Sequence, residues 1–194
     1  MIVTHLFGGL GNQLFQFATG KALAARLGVE LRFDARYFDI PRPDELCIHH
    51  FGHQTKDVDR SEMPATRQQG LVPYIAGKLR GMPYALFKET GLAYDPAFEG
   101  LGDNTYLKGY WQSERYFRDH ADLVRSSLEI VTPPTPENAR LLDELSGVLP
   151  ISLHVRRGDY VSNPKFNATH GTCDLDYYHR AADLMAERCK QDVV

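Results

Sequence analysis

No long apolar run interrupts this sequence. Its 194 residues are 43% hydrophobic, yet no stretch approaches the roughly 20 apolar residues that cross a bilayer. A spanning helix is not expected, and membrane contact would be peripheral at most. Basic excess is also missing. The 22 Lys and Arg face 25 Asp and Glu, leaving a formal net charge of −3. Nucleic-acid binding leaves a strongly basic footprint, so no nucleic-acid partner is expected. Cysteine is scarce, odd in number and scattered, at Cys47, Cys173 and Cys189. That pattern suits a reducing cytoplasm better than a disulfide framework. The opening Met1-Ile-Val-Thr-His-Leu-Phe7 has no basic residue ahead of its apolar ones, so a signal peptide is not expected. A cytoplasmic protein, peripheral at the inner face of the membrane at most, is the resulting expectation. Internal repeats and low-complexity tracts are absent too.

What is present reads as α/β. Ile2 to Leu6 is a first strand, feeding the turn Phe7-Gly-Gly-Leu-Gly-Asn-Gln13. A helix follows from Asn12 or Gln13 to about Leu27, with Leu14, Phe17, Ala18, Ala22 and Ala25 at helical spacing. Gly28 fits its C-terminal cap. Val29 to Phe33, closed by Asp34, is a second strand. In such a strand–helix–strand unit the glycine loop offers backbone N–H groups to an anionic or polar ligand. Residues 36 to 104 read as irregular, punctuated by six prolines, with a short helix around Leu71 to Arg80. Thr105 to Gly109 is another strand. After Tyr110-Trp111-Gln112, Ser113 caps a helix from Glu114 to about Leu128. Tyr110 and Trp111 fit either core aromatics or a sugar-stacking platform. Thr132-Pro-Pro-Thr-Pro136 is a stiff connector, and Thr135 caps a helix that opens on Pro136 and runs to about Ser146. A last helix spans Asp174 to about Lys190.

Two other chemistries are suggested and set aside. Gly9-x-Gly11 after a strand, with Asp34 ending the next, resembles the start of a dinucleotide fingerprint. The third position of that fingerprint should be Gly or Ala for close helix–strand packing; here it is Leu14. Cys47, His49, His50 and His53 match no tetrahedral zinc spacing, so no metal is expected.

Ile151-Ser-Leu-His-Val-Arg-Arg-Gly-Asp-Tyr160 carries the most chemistry. It reads as a strand, placing His154 and Arg156 side by side on one face near its end, where open α/β sheets bind ligands. An Arg aimed from a strand grips phosphate with two parallel charge-assisted hydrogen bonds. The plainer reading is a strand followed by a polar turn.

With these residues in view the chain resembles the bacterial α-1,2-fucosyltransferases, glycosyltransferase family 11. Three stretches carry the likeness: Gly8-Gly-Leu-Gly-Asn-Gln-Leu-Phe-Gln16, Gly109-Tyr-Trp-Gln-Ser-Glu-Arg-Tyr-Phe117, and His154-Val-Arg-Arg-Gly-Asp-Tyr160 with Asp176-Tyr-Tyr178. The resemblance implies a GT-B fold of two Rossmann-like domains. An acceptor-side α/β domain would span 1–131 and a linker with its connecting helix 132–148. The first strand and helix of a truncated donor domain would span 149–194. It implies fucose transfer from GDP-fucose to the 2-hydroxyl of a terminal galactoside, with inversion and without a metal or other cofactor. Carried over by position, Arg156 and His154 are catalytic, with Arg156 on the donor diphosphate. Gly9, Gly11, Asn12 and Arg157 join Arg156 in lining the donor site. Inversion also calls for a base near the acceptor hydroxyl; Asp159 is the candidate, set against its use as a turn-former. Family members continue well past this point, so a fragment is expected. The alternatives are a non-catalytic acceptor-binding remnant and a dinucleotide oxidoreductase.

Overall fold

A computed structural model of the chain describes residues 1–194 except 42, 53–55, 64–69, 82, 156–157, 163, 165–166, 169–170 and 190–194. The chain divides into two compact units, Met1–Pro133 and Pro134–Val194.

The first unit is built on a five-stranded, wholly parallel sheet. Its strands are β1 (Ile2–His5), β2 (Leu31–Asp34), β3 (Lys56–Asp57), β4 (Ala85–Lys88) and β5 (Thr105–Lys108). Their spatial order is β3-β2-β1-β5-β4. Parallel strands need a long crossover between neighbours. Here α1 (Leu10–Leu27) links β1 to β2, and α2 (Leu71–Arg80) lies between β3 and β4. The architecture is α/β and consistent with a Rossmann-like domain.

Strand alternation sorts the two faces. Ile2, Leu31, Phe33 and Leu107 join Phe17 and Leu23 of α1, together with Phe98, Trp111 and Tyr116, in the main core. Val3 and Tyr106 turn to the other face and meet Val58, Met63 and Tyr84. Helix α1 begins at Leu10, earlier than the spacing of its apolar residues predicts. Gly9 is its N-cap in extended conformation, with no side-chain cap, a role glycine fills almost as well as a short polar residue. Gly28 closes it at φ +66, its N–H donating to the carbonyls of Ala24 and Ala25.

The expected helix over 114–128 is broken. Two 3-10 turns, Glu114–Tyr116 and Arg118–His120, precede a seven-residue α3 (Ala121–Ser127). Tyr116 and Phe117 both pack on the core. The chain leaves helical geometry at Phe117 (φ −137, ψ 5).

The second unit contains α4 (Pro136–Leu145), α5 (Gly158–Ser162) and α6 (Leu175–Cys189). Thr135 Oγ1 accepts from the Asn138 N–H at 3.2 Å, and Pro136 occupies the first turn of α4. Asp174 accepts from the Tyr177 N–H at 2.7 Å at the start of α6. The strand expected from Ile151 is not there: residues 151–155 have no regular structure. A strand exists only through its ladder partners, and the described residues of this unit include no other strand to pair with it. None of them is buried.

Candidate active site

In the order β3-β2-β1-β5-β4 the strands β1 and β5 are neighbours, and the carboxyl ends of the strands are where open α/β sheets take ligands. Two loops meet there, Phe7–Gln13 after β1 and Gly109–Ser113 after β5.

The first loop is fixed by two fully buried amides. Gln16 Oε1 accepts from the Phe7 N–H at 3.0 Å, and its Nε2 donates to the Phe7 carbonyl at 3.2 Å. Gln13 Nε2 donates to the carbonyls of Gly8 (2.8 Å) and Glu45 (2.7 Å), while its Oε1 accepts from the Cys47 N–H at 2.8 Å. Gly8 stands at φ +75, and a Cβ there would lie 2.7 Å from Asn12 Nδ2. The first N–H groups of α1, at Leu10, Gly11 and Asn12, have no intrahelical acceptor. The first turn of α1 carries no acidic residue of its own, but Asp44 Oδ1 would lie 3.8 Å from a Cβ at the N-cap Gly9.

The second loop is turned by Trp111 at φ +58. Its indole is fully buried, stacked on Phe87 at 5.7 Å and edge-on to Tyr116 at 5.3 Å. Of the two aromatics that fitted either core or platform, Trp111 is core. Tyr110 is 40% exposed and lies 4.8 Å from Phe7, which in turn lies 6.0 Å from Tyr37. Gln112 Nε2 donates to Asn12 Oδ1 at 2.8 Å. Stretches about a hundred residues apart in sequence are thus hydrogen-bonded to each other.

Behind them lies a polar cluster. Asp34 is 2% exposed, and both its oxygens are engaged. Arg36 grips it from Nε and from its terminal nitrogen, each at 2.8 Å, and the Tyr106 hydroxyl donates to Oδ2 at 2.8 Å. Burial works against the carboxylate, but the Arg36 and Tyr106 contacts outweigh it and hold its pKa below the ordinary value. Burial and the Asp34 charge together push the Tyr106 hydroxyl upward. Asp34 therefore has no oxygen left for a ribose, against the dinucleotide reading. The close helix–strand approach of that fingerprint is also displaced: a Cβ at Gly20, not at position 14, would overlap the Thr4 hydroxyl.

His5 closes β1, half-buried, and was not singled out by the sequence pattern, which gives no sign of how far a strand-end His is covered. Its ring sits 5.0 Å from Phe7, and its Nδ1 is buried without a partner. Burial lowers its pKa from 6.5 to about 4.

Of the sequence-predicted residues, Gly9, Gly11 and Asn12 come together at the start of α1. The Gln13 side chain is spent on the backbone. His154 is exposed in the second unit, in a segment without regular structure, and Asp159 belongs to α5. Arg156, Arg157 and His53 lie outside the described residues. Among the described residues no group of three His, Cys, Asp or Glu is placed to hold a metal ion, and no helix is long and apolar enough to cross a membrane.

The family model described as glycosyl transferase family 11 matches residues 92–194. The chain belongs to glycosyl transferase family 11. The match takes in the second and third of the three stretches that carried the likeness. This family 11 chain is similar along most of its length to an alpha-1,2-colitosyltransferase of Escherichia coli, 29% identical over 97% of the chain and 65% of the relative. It is also similar to the O-antigen biosynthesis glycosyltransferase WbnK of Escherichia coli, 30% identical over 91% of the chain and 65% of the relative. The chain thus spans about 65% of the length of each. No solved structure matches it.

Proposed function

We propose that the protein transfers L-fucose from GDP-fucose to the 2-hydroxyl of a terminal galactoside, with inversion and without a metal. The observation that carries this reading is the Gln112–Asn12 hydrogen bond beyond the carboxyl ends of β1 and β5. It joins the Gly-Asn loop to the Tyr-Trp-Gln loop in a chain of family 11. The alpha-1,2 linkage in the name of one relative supports the assignment of the 2-hydroxyl.

Departure of the sugar puts negative charge on the β-phosphate of the leaving GDP. Only interactions stronger in the transition state than in the ground state accelerate that step. On this reading Arg156 supplies a forked cation to the diphosphate, and His154 and Arg157 serve the same donor. The N–H groups at Gly11 and Asn12 add the positive end of α1, with Gly9 as its N-cap. The exposed Tyr110, backed by Phe7, offers an aromatic face to the acceptor sugar. Asp159 is the base that takes the acceptor hydroxyl's proton as the C–O bond forms. A GT-B pair of domains, with 1–131 on the acceptor side, belongs to the same proposal.

A second donor is favoured by one finding. A relative is named a colitosyltransferase, and colitose is fucose without its 3-hydroxyl. A site built to hydrogen-bond that hydroxyl rejects the deoxy sugar strongly; a site that ignores it discriminates little. Assaying the full chain with lactose and either GDP-fucose or GDP-colitose separates the two. Fucose transfer is expected, and Arg156→Lys is expected to lose on the order of 10²-fold in rate, keeping the charge but not the fork. Equal activity of the lysine variant would remove the role of Arg156. Lactose binding with neither donor consumed would leave a non-catalytic acceptor-binding protein.

A further inference from the structure

The bend at Tyr110–Trp111 does not form by local preference. Trp111 lies at φ +58, where a bulky non-glycine residue is strained. Successive backbone N–H groups turned to one side make a concavity that binds anions. Here the anion is supplied from within the chain. Glu89, one residue past β4, brings its carboxylate across the end of the sheet. Its Oε2 accepts from the Tyr110 N–H at 2.6 Å and its Oε1 from the Trp111 N–H at 3.0 Å. Gly109 leaves the passage open: a Cβ there would overlap the Glu89 Cβ and lie 2.8 Å from Oε2. The Glu89 N–H donates to the Lys108 carbonyl at 3.0 Å, which extends the β4–β5 ladder and fixes the backbone that carries the carboxylate. Immediately beyond the bend, Gln112 meets Asn12.

The geometry points to Glu89 as a positioning residue of this site, a carboxylate seated on the Tyr110 and Trp111 N–H groups that sets Gln112 against Asn12. Its kinetic consequence rests on the transferase reading; its geometry does not. The same occupancy closes this concavity to a donor phosphate. Glu89 touches neither substrate nor reacting atoms; it acts through Gln112 and Tyr110. The competing account is structural only, with the buried Trp111 indole fixing the bend by itself.

The test compares the full chain with Glu89→Gln, Gln112→Ala and the double variant. Gln keeps the shape and one acceptor oxygen but turns an NH2 toward the second N–H. By NMR, the Tyr110 and Trp111 amide protons are expected to shift upfield and exchange faster in Glu89→Gln, and the Gln112 side-chain NH2 signals to move. With GDP-fucose and lactose, kcat/KM is expected to fall roughly tenfold, the loss of a charge-assisted hydrogen bond, mainly through KM for lactose and with Tm little changed. Adding Gln112→Ala to Glu89→Gln is expected to cost no more than about twofold further, because the shared contact is already lost. Unmoved amide protons would overturn the inference. So would losses that multiply in the double variant, or a lower Tm with kinetic constants unchanged. If the unaltered chain transfers no sugar, the transferase reading fails, and the NMR comparison alone decides the role of Glu89.

Discussion

At the scale of single residues, the site is assembled by polar side chains that serve the backbone. Gln13 and Gln16 satisfy carbonyls and N–H groups of the glycine loop and of residues 45–47. A buried polar group left without a partner costs about 1–3 kcal/mol, and these amides remove several such costs at once. The sequence displayed their hydrogen-bonding capacity but not their use, because the partners of Gln13 near Glu45 lie in a stretch with no regular pattern. His5 was hidden for a related reason: only the packing of Phe7 and Tyr106 around it decides its burial. That burial has a measurable consequence. A histidine pKa of about 4 in the fold, against 6.5 in the unfolded chain, means that the unfolded state binds the proton first as pH falls. Stability is therefore full above about pH 6.5 and declines toward pH 4, by roughly 3 kcal/mol for this group. Asp34 acts in the same sense and lower down. Its depressed pKa adds stability that is present above the ordinary Asp value and lost only as pH falls below it. Denaturant melts at pH 7 and pH 4.5 check the first window. The decline is expected in the native chain and largely absent in His5→Leu; an equal decline in both would show that His5 is not the group responsible.

Among the elements, β1, α1, β2 and β5 were legible because each is buried along its length or punctuated by glycine. The ends were less so: α1 starts where Gly9 permits, ahead of its apolar spacing. The two-residue, fully exposed β3 carries no sequence signal, and it exists because β2 offers it an edge. Residues 151–155 of the expected strand show the converse. Ile151, Leu153 and Val155 give strand preference, yet the described residues of their unit offer no pairing neighbour, and preference alone makes no ladder. The tight contact of α1 with β1 yields a prediction at this scale. A Cβ at Gly20 would overlap the Thr4 hydroxyl and lie 2.9 Å from Leu31 Cδ1. Gly20→Val must therefore push helix and sheet apart, at a cost of roughly 1–3 kcal/mol from overpacking. Thermal melting at fixed pH measures it. An unchanged Tm would mean that the interface relaxes freely and that Gly20 does not set the approach.

Across the whole molecule, the strand order decides where chemistry is placed. Connections run outward through β2 and β3, return to β4, and bring β5 beside β1, so two of the three stretches that resembled a known family meet at one point. The order of the motifs along the chain was legible; their meeting was not, since it depends on β5 inserting between β1 and β4. The third motif lies in the second unit, Pro134–Val194, and its two arginines fall outside the described residues. On the proposed reading these parts serve one inverting transfer onto a galactose 2-hydroxyl. The most direct measurement is the NMR structure of the product formed from GDP-β-L-fucose and lactose by the full chain. The account predicts a single trisaccharide with an α-fucosyl anomeric signal and a glycosylation shift at galactose C2. A β-linked product, attachment at another hydroxyl, or free fucose alone would contradict it.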